Sequence, residues 1–145
     1  MSAEQFSAAG VEPTDLPGLA ARCHAISLHA PGGSAVVDAG LLEQLRPDCI
    51  LVNTARSALV DESAVADALR AGRLACYATD DLGTAPDGVH VLLAPDLADR
   101  VIVTPHSAAQ TVEAVDNMGT GATEAVLDVL AGRTPEHVVP APTEP

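Results

Sequence analysis

The sequence predicts an α/β fold: a parallel sheet of about four strands with flanking helices and a long C-terminal helix. Three observations carry this. Short apolar runs alternate with helical patterns along the chain. The helical patterns open at Asp or Thr caps and stop at glycine or proline. The 145 residues are 48% apolar, with no Trp, one Tyr and one Phe, so the core is built from Ala, Val and Leu. Small aliphatics suit a sheet covered by Ala-rich helices, and this length supports one domain with a hydrophobic core.

The elements follow in order. Residues 1–12 read as a flexible N-terminus, and residues 14–22 as a short helix weakened by Pro17 and Gly18. Residues 24–28 (HAISL) form a strand, closed by the breaker Pro31, Gly32, Gly33. Asp38 caps a helix expected to run through Arg46, with Leu41, Leu42 and Leu45 on one face and Pro47 as its end. Residues 49–53 (CILVN) are a continuous apolar run ending at a polar residue, the pattern of a strand buried on both faces. Asp61 caps the next helix; Ala64, Val65, Ala68 and Leu69 make its stripe and Gly72 stops it. Residues 74–79 (LACYAT) form a strand ending at Asp80 and Asp81, residues 83–100 are loop-rich, and residues 101–104 (VIVT) form a strand closed by Pro105 and His106. Thr111 caps a long helix to about Leu130, with Val112, Val115, Ala122, Val126 and Val129 among its apolar positions. From residue 134 the tail holds four prolines and reads as extended or disordered. No repeat or internal linker divides the chain.

Charge and composition exclude several functions. The net charge of -13 repels phosphate backbones, and the near absence of aromatics leaves nothing on which bases can stack, so nucleic acid is not an expected partner. The N-terminus has neither a basic start nor an apolar stretch, so neither a signal peptide nor a membrane span is expected and the cytoplasm is the default compartment. Cys23, Cys49 and Cys76 show no metal-like spacing and read as buried structural thiols; no metal site is expected.

In open α/β sheets, ligands bind outside the carboxyl ends of the strands. Those ends here carry His29 and Pro31, then Asn53, Thr54, Ala55 and Arg56, then Asp80 and Asp81, then Thr104, Pro105 and His106. Arg56, Asp80 and His106 end three successive strands and could converge on one small anionic substrate. A guanidinium offers a planar fork that matches a carboxylate. A histidine near its ordinary pKa exchanges a proton with an alcohol or carbonyl. Taken singly, each of these residues also fits an ordinary surface, turn or cap role; only the joint arrangement points to chemistry.

Four blocks give that arrangement a family resemblance: SLHAP (27–31), LVNTARSALVDESAVADALRAGRLA (51–75), the Asp of ATDD (78–81) and VIVTPHSAAQT (101–111). In content, order and spacing the chain resembles the D-isomer-specific 2-hydroxyacid dehydrogenases, specifically the C-terminal part of their NAD-binding domain. The resemblance implies a partial Rossmann-type domain over residues 13–133, with NAD as cofactor (NADP not excluded) and a small 2-hydroxy or 2-keto acid as substrate. It implies that Arg56 binds the substrate carboxylate and that His106 is the acid/base. It places Asp80 near the nicotinamide carboxamide, His29 and Pro31 beside the adenosine, and Thr54 and Ala55 on the ribose side.

The chain departs from the family pattern in four respects. The glutamate that pairs with the family's histidine is replaced by Ala85; Asp81 and Asp87 are nearby carboxylates whose spacing favours neither as a substitute. No GxGxxG occurs, so weak or no NAD binding is expected. The substrate-binding domain is not among these residues, and Ser57 and Ala109 stand where the family has glycine. If residues 24–28 and 49–53 are strands 3 and 4 of the order 3-2-1-4-5-6, both face a gap. Three outcomes are then open: the two strands pair directly, which is the most natural for a monomer and which the short Pro31–Gly33 loop does not forbid, two copies pair across the gap, or the chain folds poorly. Function likewise stays open between a dehydrogenase fragment, an inactive interaction or oligomerisation module, and one half of a split enzyme with a separately encoded front half.

Overall fold

The computed structural model describes residues 3–85 and 88–139 and divides into two compact units, Met1–Pro105 and His106–Pro145. Pro86, Asp87 and the tail beyond residue 139 lie outside the described residues.

The first unit holds α1 (Ala3–Ala8), α2 (Leu16–Arg22), β1 (Ala25–Leu28), α3 (Ala39–Leu42), β2 (Ile50–Asn53), α4 (Glu62–Arg70), β3 (Cys76–Thr79) and β4 (Val101–Val103). The strands form one parallel sheet in the order β1-β2-β3-β4, with Ile26 opposite Leu51, Leu51 opposite Tyr77 and Tyr77 opposite Val101. Every strand therefore neighbours its neighbour in sequence. Of the three outcomes the first is the one found: β1 and β2 pair directly in parallel register, which closes the gap. Consecutive pairing is what strands 4, 5 and 6 of a doubly wound sheet do, whereas strands 3 and 4 never touch. The numbering that orphaned residues 24–28 is thereby corrected.

The core lies on one face of this sheet. Leu28, Leu51 and Tyr77 are buried with Ala20 of α2, Leu42 of α3 and Val65, Ala66, Ala68 and Leu69 of α4. Leu92 and Leu97, in two short 3-10 turns (Val91–Leu93 and Pro95–Leu97), close it below α4. The other face is not sealed: Ile50 is 42% and Ile102 59% exposed. The expectation that residues 49–53 are buried on both faces is thus overturned. Burial along β2 alternates instead, as in a sheet covered by one helical layer. A purely apolar run cannot reveal this, since it is compatible with one covered face or two.

Several local expectations also shift. Residues 1–12 were expected to be loose, yet Ala3–Ala8 is helical; Glu4, Gln5 and the alanines favour a helix, and Gly10 at φ 65 follows its end. The helix capped by Asp38 stops at Leu42 rather than Arg46. Gln44 and Leu45 donate to the carbonyls of Leu41 and Leu42, so the turn tightens, and Pro47 disfavours helical backbone at Arg46. Of the three thiols only Cys49 is buried, and burial pushes its pKa up; Cys23 and Cys76 are half-buried and all three are free. Cys23 caps the C-terminal end of α2, and Cys76 opens β3 on the strand face opposite the buried Tyr77.

The second unit holds a 3-10 turn (Ala108–Gln110) and α5 (Val112–Leu130). Thr111 caps α5, its hydroxyl accepting from the Ala114 N–H at 3.2 Å, and Gly132 at φ 72 follows its end. None of the residues of this 19-residue helix is buried.

Candidate functional site

The site is built at the carboxyl edge of the sheet, where β2, β3 and β4 end in polar residues. Asn53 is fully buried, and its side chain folds the turn that follows it. Its amide donates to the Arg56 carbonyl at 2.8 Å, and its carbonyl oxygen accepts from the Ala55 N–H at 3.0 Å. This turn carries Thr54 and Arg56 to the surface with Ala55 half-buried, and Arg56 Nη1 donates to the Ala55 carbonyl at 2.7 Å.

The next tip is tied to this one. The Ser57 N–H and hydroxyl donate to Asp81 Oδ2 at 2.8 and 3.2 Å, and the Asp80 N–H donates to the Asn53 carbonyl at 3.0 Å. Ser57, a departure from the family's glycine, therefore adds a hydrogen bond here. The third tip joins in turn: the Thr104 N–H donates to the Thr79 carbonyl at 3.0 Å, and the Thr104 hydroxyl bonds Asp80 Oδ1. Asp80 is thus held between its neighbours on both sides.

The loop after β1 comes to the same place. A side-chain carbon at Gly32 would lie 3.3 Å from Cγ of Arg56, so the glycine lets the loop run close against the arginine stem. His29 and Pro31 are exposed on this loop, and His29 Nε2 lies 2.8 Å from Ser27 Oγ. The structure therefore brings together the β1 loop, the Asn53–Arg56 turn, Asp80 and Thr104. His106 opens the second unit, exposed, with its backbone at φ 51, a left-handed conformation seldom adopted by residues with a side chain.

Beneath the edge, the loop after β3 is anchored by residues that sequence reasoning assigned no role. Glu62, the first residue of α4, accepts from the Gly83 N–H at 3.1 and 3.2 Å, and lies 3.0 Å from His90 Nε2. The Leu92 N–H donates to His90 Nδ1 at 3.2 Å, so the proton of the neutral ring sits on Nε2 and faces Glu62. His90 is buried. Ala85 rides on this loop, half-buried, its carbonyl accepting from the Gly88 N–H. Glu62 sits directly after the Asp61 cap, where an acid ordinarily reads as dipole stabilisation, and that masked its reach to Gly83. Tyr77 lies fully buried on the core face; its hydroxyl has no hydrogen-bond partner among the described residues, and burial pushes its pKa up. Among the described residues no cluster of His, Cys, Asp and Glu could hold a metal, and no helix is long and apolar enough to cross a membrane.

Comparison with known proteins places the chain in a family. Residues 1–108 match the family model described as D-isomer specific 2-hydroxyacid dehydrogenase, NAD binding domain. The chain is 40% identical over 126 residues to D-3-phosphoglycerate dehydrogenase of Mycobacterium tuberculosis, covering 85% of this chain and 23% of that protein. It is 34% identical over 123 residues to D-lactate dehydrogenase of Treponema pallidum, covering 74% of this chain and 37% of that protein. Among solved structures, D-lactate dehydrogenase with NAD+ from Lactobacillus jensenii superposes with a TM-score of 0.78 at 26% identity, covering 88% of this chain and 43% of that chain. The chain spans less than half the length of each of these relatives. The parallel sheet, the ordered strand tips and these matches agree: the chain belongs to the D-isomer specific 2-hydroxyacid dehydrogenase family, through its NAD-binding domain.

Proposed function

We propose that this chain supplies the nicotinamide-facing side of a dehydrogenase acting on small 2-hydroxy acids. The observation that carries the proposal is the run of hydrogen bonds holding the Asn53–Arg56 turn, Asp80 and Thr104 as one rim at the carboxyl edge. Arg56 pairs its guanidinium with the substrate carboxylate, which orients the neighbouring hydroxyl carbon. His106 takes the hydroxyl proton during oxidation and returns it to the carbonyl oxygen during reduction. Bound NAD, or NADP, supplies the hydride acceptor. Asp80 faces the nicotinamide carboxamide, the backbone of Thr54 and Ala55 lines the ribose, and His29 and Pro31 flank the adenosine. The residues present fit that half of a dinucleotide. The cradle for the pyrophosphate and the cover over the substrate come from other residues, such as a separately encoded front half.

A second reading, a dinucleotide-facing module without turnover, is favoured by Ala85. Ala85 stands where the family's glutamate would be, so this position supplies no carboxylate to an acid/base. Fluorescence titration with NADH, followed by turnover assays on glyoxylate, hydroxypyruvate and 2-ketobutyrate, decides between them. Turnover abolished by both Arg56→Ala and His106→Asn supports the dehydrogenase. NADH binding with no turnover supports the module. No binding at millimolar NADH overturns both.

A further inference from the structure

The connection from β2 to α4 grips the loop after β3 at two points, in opposite senses. Ser57, directly after Arg56, donates its N–H and hydroxyl to Asp81 Oδ2 at 2.8 and 3.2 Å. Further along the same connection Glu62 accepts from the Gly83 N–H at 3.1 and 3.2 Å, one contact to each carboxylate oxygen. Only Leu82 separates the two gripped residues, and it packs against the core. On its other side Asp81 is tied to β3, since the Thr79 hydroxyl donates to the Asp81 carbonyl at 2.8 Å. The carboxylate on which Ser57 leans is therefore fixed from both directions along its own chain.

Glu62 is itself held. Its side chain is 14% exposed, and a carboxylate so far from water needs donors. His90 supplies one, with Nε2 lying 3.0 Å from Glu62 Oε2. The Leu92 N–H occupies His90 Nδ1 at 3.2 Å, so the ring proton is committed to Nε2 and points at the carboxylate. The approach also dictates the residue opposite. A side-chain carbon at Gly83 would lie 2.5 Å from Glu62 Oε2, and the carboxylate makes room only by giving up its place beside His90. An acid that served only the α4 dipole would need neither a buried histidine nor bare backbone opposite it.

We propose that Glu62 is a positioning residue for Arg56: acting through Gly83 and Asp81, it fixes the Ser57 anchor of the turn that presents the guanidinium, and His90 keeps its carboxylate in place. As a statement about binding a substrate carboxylate, this rests on the role proposed for Arg56 above; the mechanical coupling does not. Glutamine is no substitute. With one oxygen replaced by an NH2 group, it turns a donor toward the Gly83 N–H or toward both that N–H and His90 Nε2, whichever way the amide is flipped.

Amide hydrogen exchange followed by NMR tests the coupling on the full chain, with no need for turnover. Glu62→Gln and Gly83→Ala should each speed exchange of the Ser57 N–H by about tenfold. Both should also shift the side-chain amide signals of Asn53, which donates to the Arg56 carbonyl, while the amides of β1 keep their wild-type rates. Thermal midpoints check the contact itself. Gly83→Ala should lower the midpoint of the wild-type chain and leave it unchanged in a Glu62→Ala background, where there is no carboxylate to displace. Ser57 exchange at the wild-type rate in both variants, acceleration spread evenly over the sheet, or a Gly83→Ala loss that persists without Glu62 overturns the proposal. NADH titration of the same samples is read separately: a chain that binds no NADH while Ser57 responds as expected sinks the dehydrogenase assignment and leaves the positioning of the Arg56 turn standing.

Discussion

Asn53 has its side chain wholly committed to the main chain of the turn that presents Arg56, and it does so fully buried. Replacing it with alanine removes both bonds and leaves the Arg56 carbonyl and the Ala55 N–H without that partner. Asn53→Ala should therefore lower stability by about 1–3 kcal/mol, measured by urea unfolding. Tyr77 is the opposite case: its buried hydroxyl makes no hydrogen bond of good geometry among the described residues and only approaches the side chains of Thr79 and Asn53, so deleting it removes a desolvated polar group and at most a weak bond. Tyr77→Phe should leave stability unchanged or raise it by up to about 1–3 kcal/mol. A clear loss would show that the hydroxyl is satisfied. The identities of Arg56 and Asp80 at the rim were readable from the sequence because both stand just after apolar runs. The Glu62 contacts with Gly83 and His90 were not, because they bridge 21 and 28 residues of separation and depend on how the loop after β3 folds.

Among the elements, α4 and the 3-10 turn at Pro95–Leu97 are tied at the surface by Arg70, whose Nε donates to Asp96 Oδ2 at 2.8 Å. The Arg70 guanidinium holds the Asp96 carboxyl below its ordinary value of 3.8. A carboxyl depressed in the folded state contributes stability above its unfolded pKa and loses it as pH falls through the folded value. Wild type should accordingly be more stable than Asp96→Asn near neutrality, and their thermal midpoints should converge as the solution is taken well below pH 4. The existence and order of the main elements were legible because caps, breakers and apolar runs are local signals. Their lengths were less so. α3 ends at Leu42 because its last turn tightens ahead of Pro47, and nothing in the stripe Leu41, Leu42, Leu45 announces that.

For the whole molecule, the covering of the sheet was the part that sequence could not supply. An apolar strand such as Ile50–Asn53 records that its residues can be buried, but the layer that buries them lies elsewhere in the chain or in another molecule. The same holds for α5, whose valines are compatible with a packed helix and are exposed in this one. The strand order has a further consequence for the growing polypeptide. Because the described strands pair in chain order, β2, β3 and β4 each leave the ribosome with one hydrogen-bonding neighbour already synthesised, and none of these three has to wait for later residues before it can pair.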